Sequence, residues 1–160
     1  MPPQIQSARI LAEATHTGIA QAGTWLWKPS ELSVVFDKAK ELQIAAVGAD
    51  AQFRFPDAIY EMYWLSIDPG DRAEGESWEV YVIRSNDRSI ALLTSQIETV
   101  DLRKEAADAP AIRKRTLDKD IDPLDYLFYE ILFNSQAESA ELEKWARKTR
   151  FYEHLRHSKD

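Results

Sequence analysis

The residues with the clearest chemical potential are the acidic side chains between positions 68 and 78. Asp68, Asp71, Glu74 and Glu76 lie close together, and Trp78 follows them. Carboxylates beside a large, rigid aromatic side chain suit contact with a basic protein surface, because aromatic residues contribute strongly at interfaces and charges steer the encounter. All five are therefore the predicted partner-binding residues. The alternative interpretation of this segment is a hydrated turn.

A second group of side chains could line a pocket for a small molecule between a sheet and its helices. Its members are mainly aromatic: Phe53, Glu61, Tyr63, Trp64 and Tyr81. Glu61 has apolar sequence neighbours and is the best single candidate for a general acid. A charge pair with a residue of a neighbouring strand, such as Arg54, is the simpler role for Glu61.

The remaining polar motifs do not predict a catalytic or metal centre. His154 and His157 share a helical spacing near the end of the chain, but the sequence identifies no third ligand for a metal ion. Asp118, Asp120 and Asp122 alternate as in a calcium-binding loop, but the glycine and the final glutamate of that loop are missing. The chain also has no cysteine, no glycine-rich phosphate loop and no G-x-S-x-G motif. We therefore expect no catalytic residue, no metal and no cofactor.

The first half of the chain changes from helical spacing to a period of two. Apolar residues recur at helical intervals over 5–17 and 31–42, which predicts two helices. The intervening segment 24–27 is too apolar for a free loop, so at least one of its two indoles is expected in the core. The alternation that follows predicts a sheet over about 50–95, beginning with a hairpin at residues 56 and 57.

Residues 78–95 are predicted to form a second hairpin of this sheet. Aromatic and β-branched residues favour strands, and Asn86-Asp87 has the residue types of a two-residue turn. Folding the segment at that point pairs apolar side chains on both faces.

The following residues are predicted to form a connector and a buried helix. The charged segment 101–121 is typical of a connector or a short exposed helix. Asp122 and Pro123 then provide a strong start for a nearly all-apolar helix over 123–134. The segment Leu124–Phe133 has more apolar faces than one core covers, so it could also support a homodimer.

The chain is predicted to end in an amphipathic helix over 136–156. Ser135 and Glu138 have the spacing of a capping box at its start. Together the patterns predict one α+β domain over 1–160, with a mainly antiparallel sheet of about four strands between N-terminal and C-terminal helices.

Composition narrows the classes of function. The chain has 160 residues, 44% of them hydrophobic and 29% charged, and a formal net charge of −7. This charge disfavours binding to the phosphate backbone of nucleic acids and favours a basic partner. No apolar run approaches the length of a membrane span, and the amino terminus lacks a secretory pattern. We therefore expect a cytoplasmic protein without membrane association.

In its size, acidity, lack of cysteine and aromatic-rich sheet, the chain resembles bacterial immunity proteins, which neutralise toxins by direct binding. The likeness lies in general character, because the chain has no diagnostic motif of that group. It implies a non-enzymatic inhibitor whose partner is a basic protein such as a toxin domain. The alternative function is a small-molecule enzyme or binding protein that uses the aromatic pocket.

Overall fold

A five-stranded antiparallel sheet forms the centre of the molecule. The computed structural model describes residues 4–116 and 120–157, with side chains up to residue 150. The elements are α1 (Ser7–Thr15), β1 (Ile19–Gln21), β2 (Thr24–Trp27), α2 (Leu32–Glu41), β3 (Ala45–Phe55), β4 (Ala58–Ile67), α3 (Trp78–Thr99), α4 (Leu102–Asp108), α5 (Pro110–Thr116), β5 (Leu127–Asn134) and α6 (Gln136–His157). Short 3-10 turns at Pro29–Glu31 and Pro123–Tyr126 precede α2 and β5. The predicted α+β class and antiparallel sheet are confirmed.

The sheet has the strand order β1-β2-β5-β3-β4. The last strand in the sequence, β5, lies at its centre and pairs with β2 on one side and β3 on the other. β4 pairs with β3 through the predicted hairpin at residues 56 and 57 and forms one edge. The central part of the sheet therefore depends on residues that are distant in sequence.

The core lies between one face of the sheet and the helices. Trp27, at the end of β2, is fully buried and packs edge-on against Phe133 of β5, with ring centroids 5.7 Å apart. Phe36 of α2 contacts the same Phe133 ring at 5.6 Å. An indole of the 24–27 segment thus belongs to the core as expected, and the segment itself is a strand.

The predicted helix over 123–134 is wrong. Asp122 does cap the following turn by accepting a hydrogen bond from the Leu124 backbone at 3.1 Å, but that turn ends at Tyr126. The apolar residues after it form β5 instead. A mostly buried central strand has the same continuous apolar character that suggested a buried helix. The predicted homodimer through Leu124–Phe133 relied on a helix with several apolar faces; as a strand, most of this segment is buried, with Leu132 left 50% exposed.

The predicted hairpin over 78–95 is also wrong, because these residues lie in α3. The buried positions follow helical spacing: Trp78, Tyr81, Val82, Ser85, Asn86, Ser89 and Leu93. Asn86, the proposed turn residue, is buried, and its side-chain amide donates to the Ile44 and Val82 carbonyls at 2.8 Å. Three of these buried positions hold small polar residues, so the spacing of apolar residues alone does not reveal the helix.

Segment 101–121 is more ordered than a connector. It contains α4 and α5, and its apolar residues Leu102, Ala106, Ala109 and Ile112 are buried in the main core. Their spacing of three and four residues is the helical signal that the surrounding charges obscured. Asp118 lies outside the described residues.

The predicted helices over 5–17, 31–42 and 136–156 are confirmed as α1, α2 and α6. The capping box of α6 is also confirmed. The Glu138 backbone donates to Ser135 Oγ at 3.2 Å, and the Ser135 backbone donates to Glu138 Oε2 at 2.7 Å. Within residues 4–116 and 120–157, no helix has both the length and the apolarity needed to cross a membrane.

Candidate partner-binding surface

The acidic segment between β4 and α3 is a loop held in place by Arg84. The Arg84 guanidinium donates from Nε to Glu76 Oε1 at 2.8 Å and from Nη2 to Glu76 Oε2 at 2.9 Å. The same Nη2 reaches the Asp71 carbonyl at 2.8 Å, and Nη1 reaches the Pro69 carbonyl at 3.4 Å. Because Arg84 lies on α3, whose first turn is capped by Ser77, the loop is anchored to a rigid element.

Glu76 is therefore part of the structure of the loop. Its side chain is only 10% exposed. The hydrogen bonds from Arg84 and from the Ala73 backbone lower the pKa of Glu76 to about 2. Its carboxylate accepts two hydrogen bonds from Arg84 and one from the Ala73 backbone, so little of it is left for direct contact with a partner.

The other three predicted carboxylates are presented at the surface. Asp68, Asp71 and Glu74 are exposed. Asp68 also accepts a hydrogen bond from the Gly70 backbone at 2.7 Å, and Gly70 has a φ of +86°. An aspartate turn followed by a glycine at positive φ fixes the path of the backbone as it leaves β4.

Trp78 and Tyr81 do not offer the exposed aromatic surface that a partner or ligand would need. Trp78 is 8% exposed, and its indole N–H donates to the Gln43 carbonyl at 2.8 Å. Its ring lies 5.5 Å from that of Tyr81, and both belong to a small cluster with Ala45 and Val82. This cluster supports the acidic loop through Arg84, whose guanidinium lies over the Tyr81 ring.

The other predicted pocket residues lie on both faces of β3 and β4. Phe53 is fully buried in the main core. Tyr63 and Trp64 are 69% and 57% exposed, and the Tyr63 hydroxyl donates to Glu61. The predicted pocket between sheet and helices is therefore not formed by these five residues.

Tyr63 and Trp64 nevertheless form an exposed aromatic surface on β4. The Trp64 indole N–H donates to Glu105 of α4 at 3.0 Å, and the neighbouring Asp50 accepts from Ser66. The Tyr63 hydroxyl and the Trp64 indole N–H thus each donate to a carboxylate. We name Asp50, Glu61, Tyr63, Trp64 and Glu105 the β4 surface; the sequence reasoning missed Asp50 and Glu105. Glu105 could not have been found from sequence, because it reaches the strand from a distant helix.

The face of β3 that carries Arg54 has a buried polar network. Arg54 Nε donates to Gln52 Oε1 at 2.6 Å, and Gln52 Nε2 donates to Glu130 Oε2 at 2.8 Å. The Arg54 guanidinium lies 3.8 Å from Glu130. Arg54 is thus paired with β5 and not with Glu61, and this network joins the two central strands.

Two clefts lie near the described α6 residues. One, of about 920 Å³, separates the acidic loop from α6 and carries mixed charge, with Asp71 and Glu74 near Arg72 and Arg150. The other, of about 470 Å³, is mainly apolar and lies beside β5. Its lining includes Ala8, Trp25, Ile131, Phe133 and Leu142.

No group of three or more side chains suited to metal binding occurs among the described residues. Comparisons of the chain with protein-family models, with characterised proteins and with solved structures give no significant match.

Proposed function

We propose that the chain is an acidic protein-binding module of the inhibitor or immunity type, which covers a basic protein partner such as a toxin domain. The observation that carries the proposal is the acidic loop. Asp68, Asp71 and Glu74 are exposed on a segment that the Arg84–Glu76 pair holds fixed. A surface that is ordered before binding loses less conformational entropy on association.

The charge of the whole chain favours the same class of partner. A formal net charge of −7 raises the encounter rate with a basic protein and lowers it with an acidic one. The β4 surface is centred on the strand that runs directly into the loop, and it adds two large exposed aromatics, Tyr63 and Trp64. Tyrosine and tryptophan are common hot-spot residues whose rings attract lysine and arginine, and the neighbouring carboxylates add complementary charge.

The first test is affinity capture of the tagged chain from its source cells at moderate ionic strength, followed by mass spectrometry. We expect one stoichiometric basic protein. The purified pair is then titrated with the variant Asp71→Lys/Glu74→Lys, for which we expect the dissociation constant to rise by about tenfold or more.

The matched control is Glu13→Lys/Glu41→Lys, which changes the formal charge equally at two exposed glutamates outside the loop. Their ion pairs with Arg9 and Lys38 are on the surface and contribute little to stability. If both double variants weaken the complex equally, only the overall charge matters and the loop is not part of the interface. Capture of no protein in repeated experiments would contradict the proposed function.

The apolar cleft beside β5 supports a second candidate, the binding of a small molecule. Its volume of about 470 Å³ and its mainly apolar lining fit the usual dimensions of ligand sites. A metabolite screen by thermal shift tests this function. A saturable increase in melting temperature that is lost in Leu142→Glu would support it, and the absence of any shift would count against it.

A further inference from the structure

One long edge of the sheet is open at β4. In the described part of the chain, β4 has β3 on one side and no strand on the other. The pair Phe55↔Ala58 closes a two-residue turn, so Tyr60 and Met62 lie in the positions that bond to β3. The backbone groups of Ile59 and Glu61 then face away from β3 and are oriented to pair with a further strand.

This edge lacks two of the usual protections against pairing. Natural edge strands commonly carry lysine or proline, which discourage another strand from adding to the sheet. β4 contains neither residue, and Ile59 is 46% exposed. An apolar side chain in this position favours contact with an added strand.

A β-bulge at the end of this edge exposes both large aromatics. The pairing shifts between Ala49↔Ile67 and Ala51↔Met62, so residues 63–66 of β4 lie opposite a single β3 residue. In a regular strand, two consecutive side chains point to opposite faces. The bulge instead leaves both Tyr63 and Trp64 exposed, and bulges often redirect side chains at functional sites.

The charges around β4 select the kind of strand that would fit. Asp50, Glu61 and Glu105 flank the aromatics, and among the described residues none of the three forms an ion pair with a lysine or arginine. A second copy of this chain, paired through the same edge, would bring these carboxylates close to their own copies. Like charges across paired strands are destabilising, whereas lysine and arginine would complement the surface.

We propose that the open edge of β4, from Ala58 to Met62, pairs with an extended basic segment of the partner protein. Tyr63 and Trp64 contact the end of that segment, and the surrounding carboxylates bind its lysine and arginine side chains. The inference rests on the proposed function and specifies the mode of recognition: addition of a strand to the sheet. The acidic loop that follows β4 then contacts the same partner next to the added strand.

The test uses the full chain and a synthetic peptide with the sequence Thr-Arg-Val-Lys-Val-Arg-Thr, capped at both ends. Binding is followed by NMR titration and by amide hydrogen exchange. We expect saturable binding and slower exchange of the Ile59 and Glu61 amides. The variant Glu61→Lys/Glu105→Lys should weaken binding by about tenfold, whereas Glu13→Lys/Glu41→Lys should have a smaller effect.

Two N-methylated peptides separate strand pairing from simple charge attraction. One is methylated at alternate residues and the other at the intervening residues, so only one of them blocks the edge that faces β4. Loss of binding for one peptide alone supports the inference. Equal binding of both peptides, or no binding of the parent peptide at millimolar concentration, overturns it.

Three further outcomes test this inference and the proposed function on which it rests. In the first, the Ile59 and Glu61 amides exchange more slowly as the protein concentration rises, without any peptide. That result would identify a second copy as the occupant and overturn the inference. If the peptide fails but the captured partner still depends on Asp71 and Glu74, strand addition is wrong and the proposed function stands. If no partner is captured, the proposed function itself fails.

Discussion

At the scale of single residues, the Arg84–Glu76 pair determines the shape of the acidic loop. The pKa of Glu76 is lowered to about 2, so the stabilisation is present above the ordinary carboxylate pKa and is lost as the pH falls towards 2. We predict that Glu76→Gln lowers the melting temperature at pH 7 and that the difference from the wild type shrinks between pH 4.5 and pH 2. Thermal unfolding monitored by circular dichroism over this range measures both effects.

The control is Glu74→Gln, which neutralises an exposed carboxylate of the same loop. We expect it to leave the melting temperature nearly unchanged at every pH. A destabilisation by Glu76→Gln that stayed constant down to pH 2 would show that the ionised carboxylate is not responsible.

Tyr129 is a second residue with a specific energetic consequence. Its side chain is fully buried in the central strand, its hydroxyl finds no hydrogen-bond partner among the described residues, and burial raises its pKa to about 12. An unsatisfied buried hydroxyl is unfavourable, so Tyr129→Phe should leave the free energy of unfolding unchanged or raise it by up to about 1 kcal/mol. Tyr129→Ala should instead lower it by about 3–5 kcal/mol, because it leaves a cavity. Urea denaturation distinguishes these results, and a large loss in Tyr129→Phe would reveal an essential hydroxyl contact.

At the scale of elements, the turn between α1 and β1 depends on close packing against β2. Gly18 has a φ of +76°, and a Cβ atom there would lie 2.8 Å from the Trp27 indole nitrogen. Trp27 cannot easily move, because it packs against Phe133 in the core. Gly18→Ala should therefore combine backbone strain with overpacking and lower the free energy of unfolding by about 2–4 kcal/mol.

Gly23 provides the matched comparison, because it has a similar φ of +79° but open space around it. Gly23→Ala should show backbone strain alone and lower the free energy of unfolding by about 1–2 kcal/mol. The two variants are compared by urea denaturation. Equal losses would mean that contact with Trp27 adds nothing to the strain.

At the scale of the whole molecule, the position of β5 and the net charge favour a single subunit in solution. The apolar strand β5 pairs with β2 and β3, and of its apolar side chains only Leu132 is exposed. A formal charge of −7 adds repulsion between copies. We predict a molar mass of 18.4 kDa by light scattering across a wide concentration range. A mass twice as large would indicate self-association through another surface, of which the β4 edge is the first to examine.

The sequence by itself determined the features that depend on near neighbours. The spacing of apolar residues was sufficient for α1, α2 and the β3–β4 hairpin, and the Ser135–Glu138 pair was sufficient for the start of α6. Net charge and the cluster of carboxylates before α3 were enough to identify an acidic loop. These signals are local, because caps, turns and amphipathic stripes act over a few residues.

Only the tertiary structure decided the features that depend on distant residues. Residues 127–134 form a strand because β2 and β3 pair with both sides of it, and 78–99 form a helix whose buried face includes the polar residues Ser85, Asn86 and Ser89. It also separated the predicted pocket residues, burying Phe53 and Tyr81 and leaving Tyr63 and Trp64 exposed at a bulge. The physical reason is that burial and strand pairing depend on what covers a residue, which short sequence patterns do not encode.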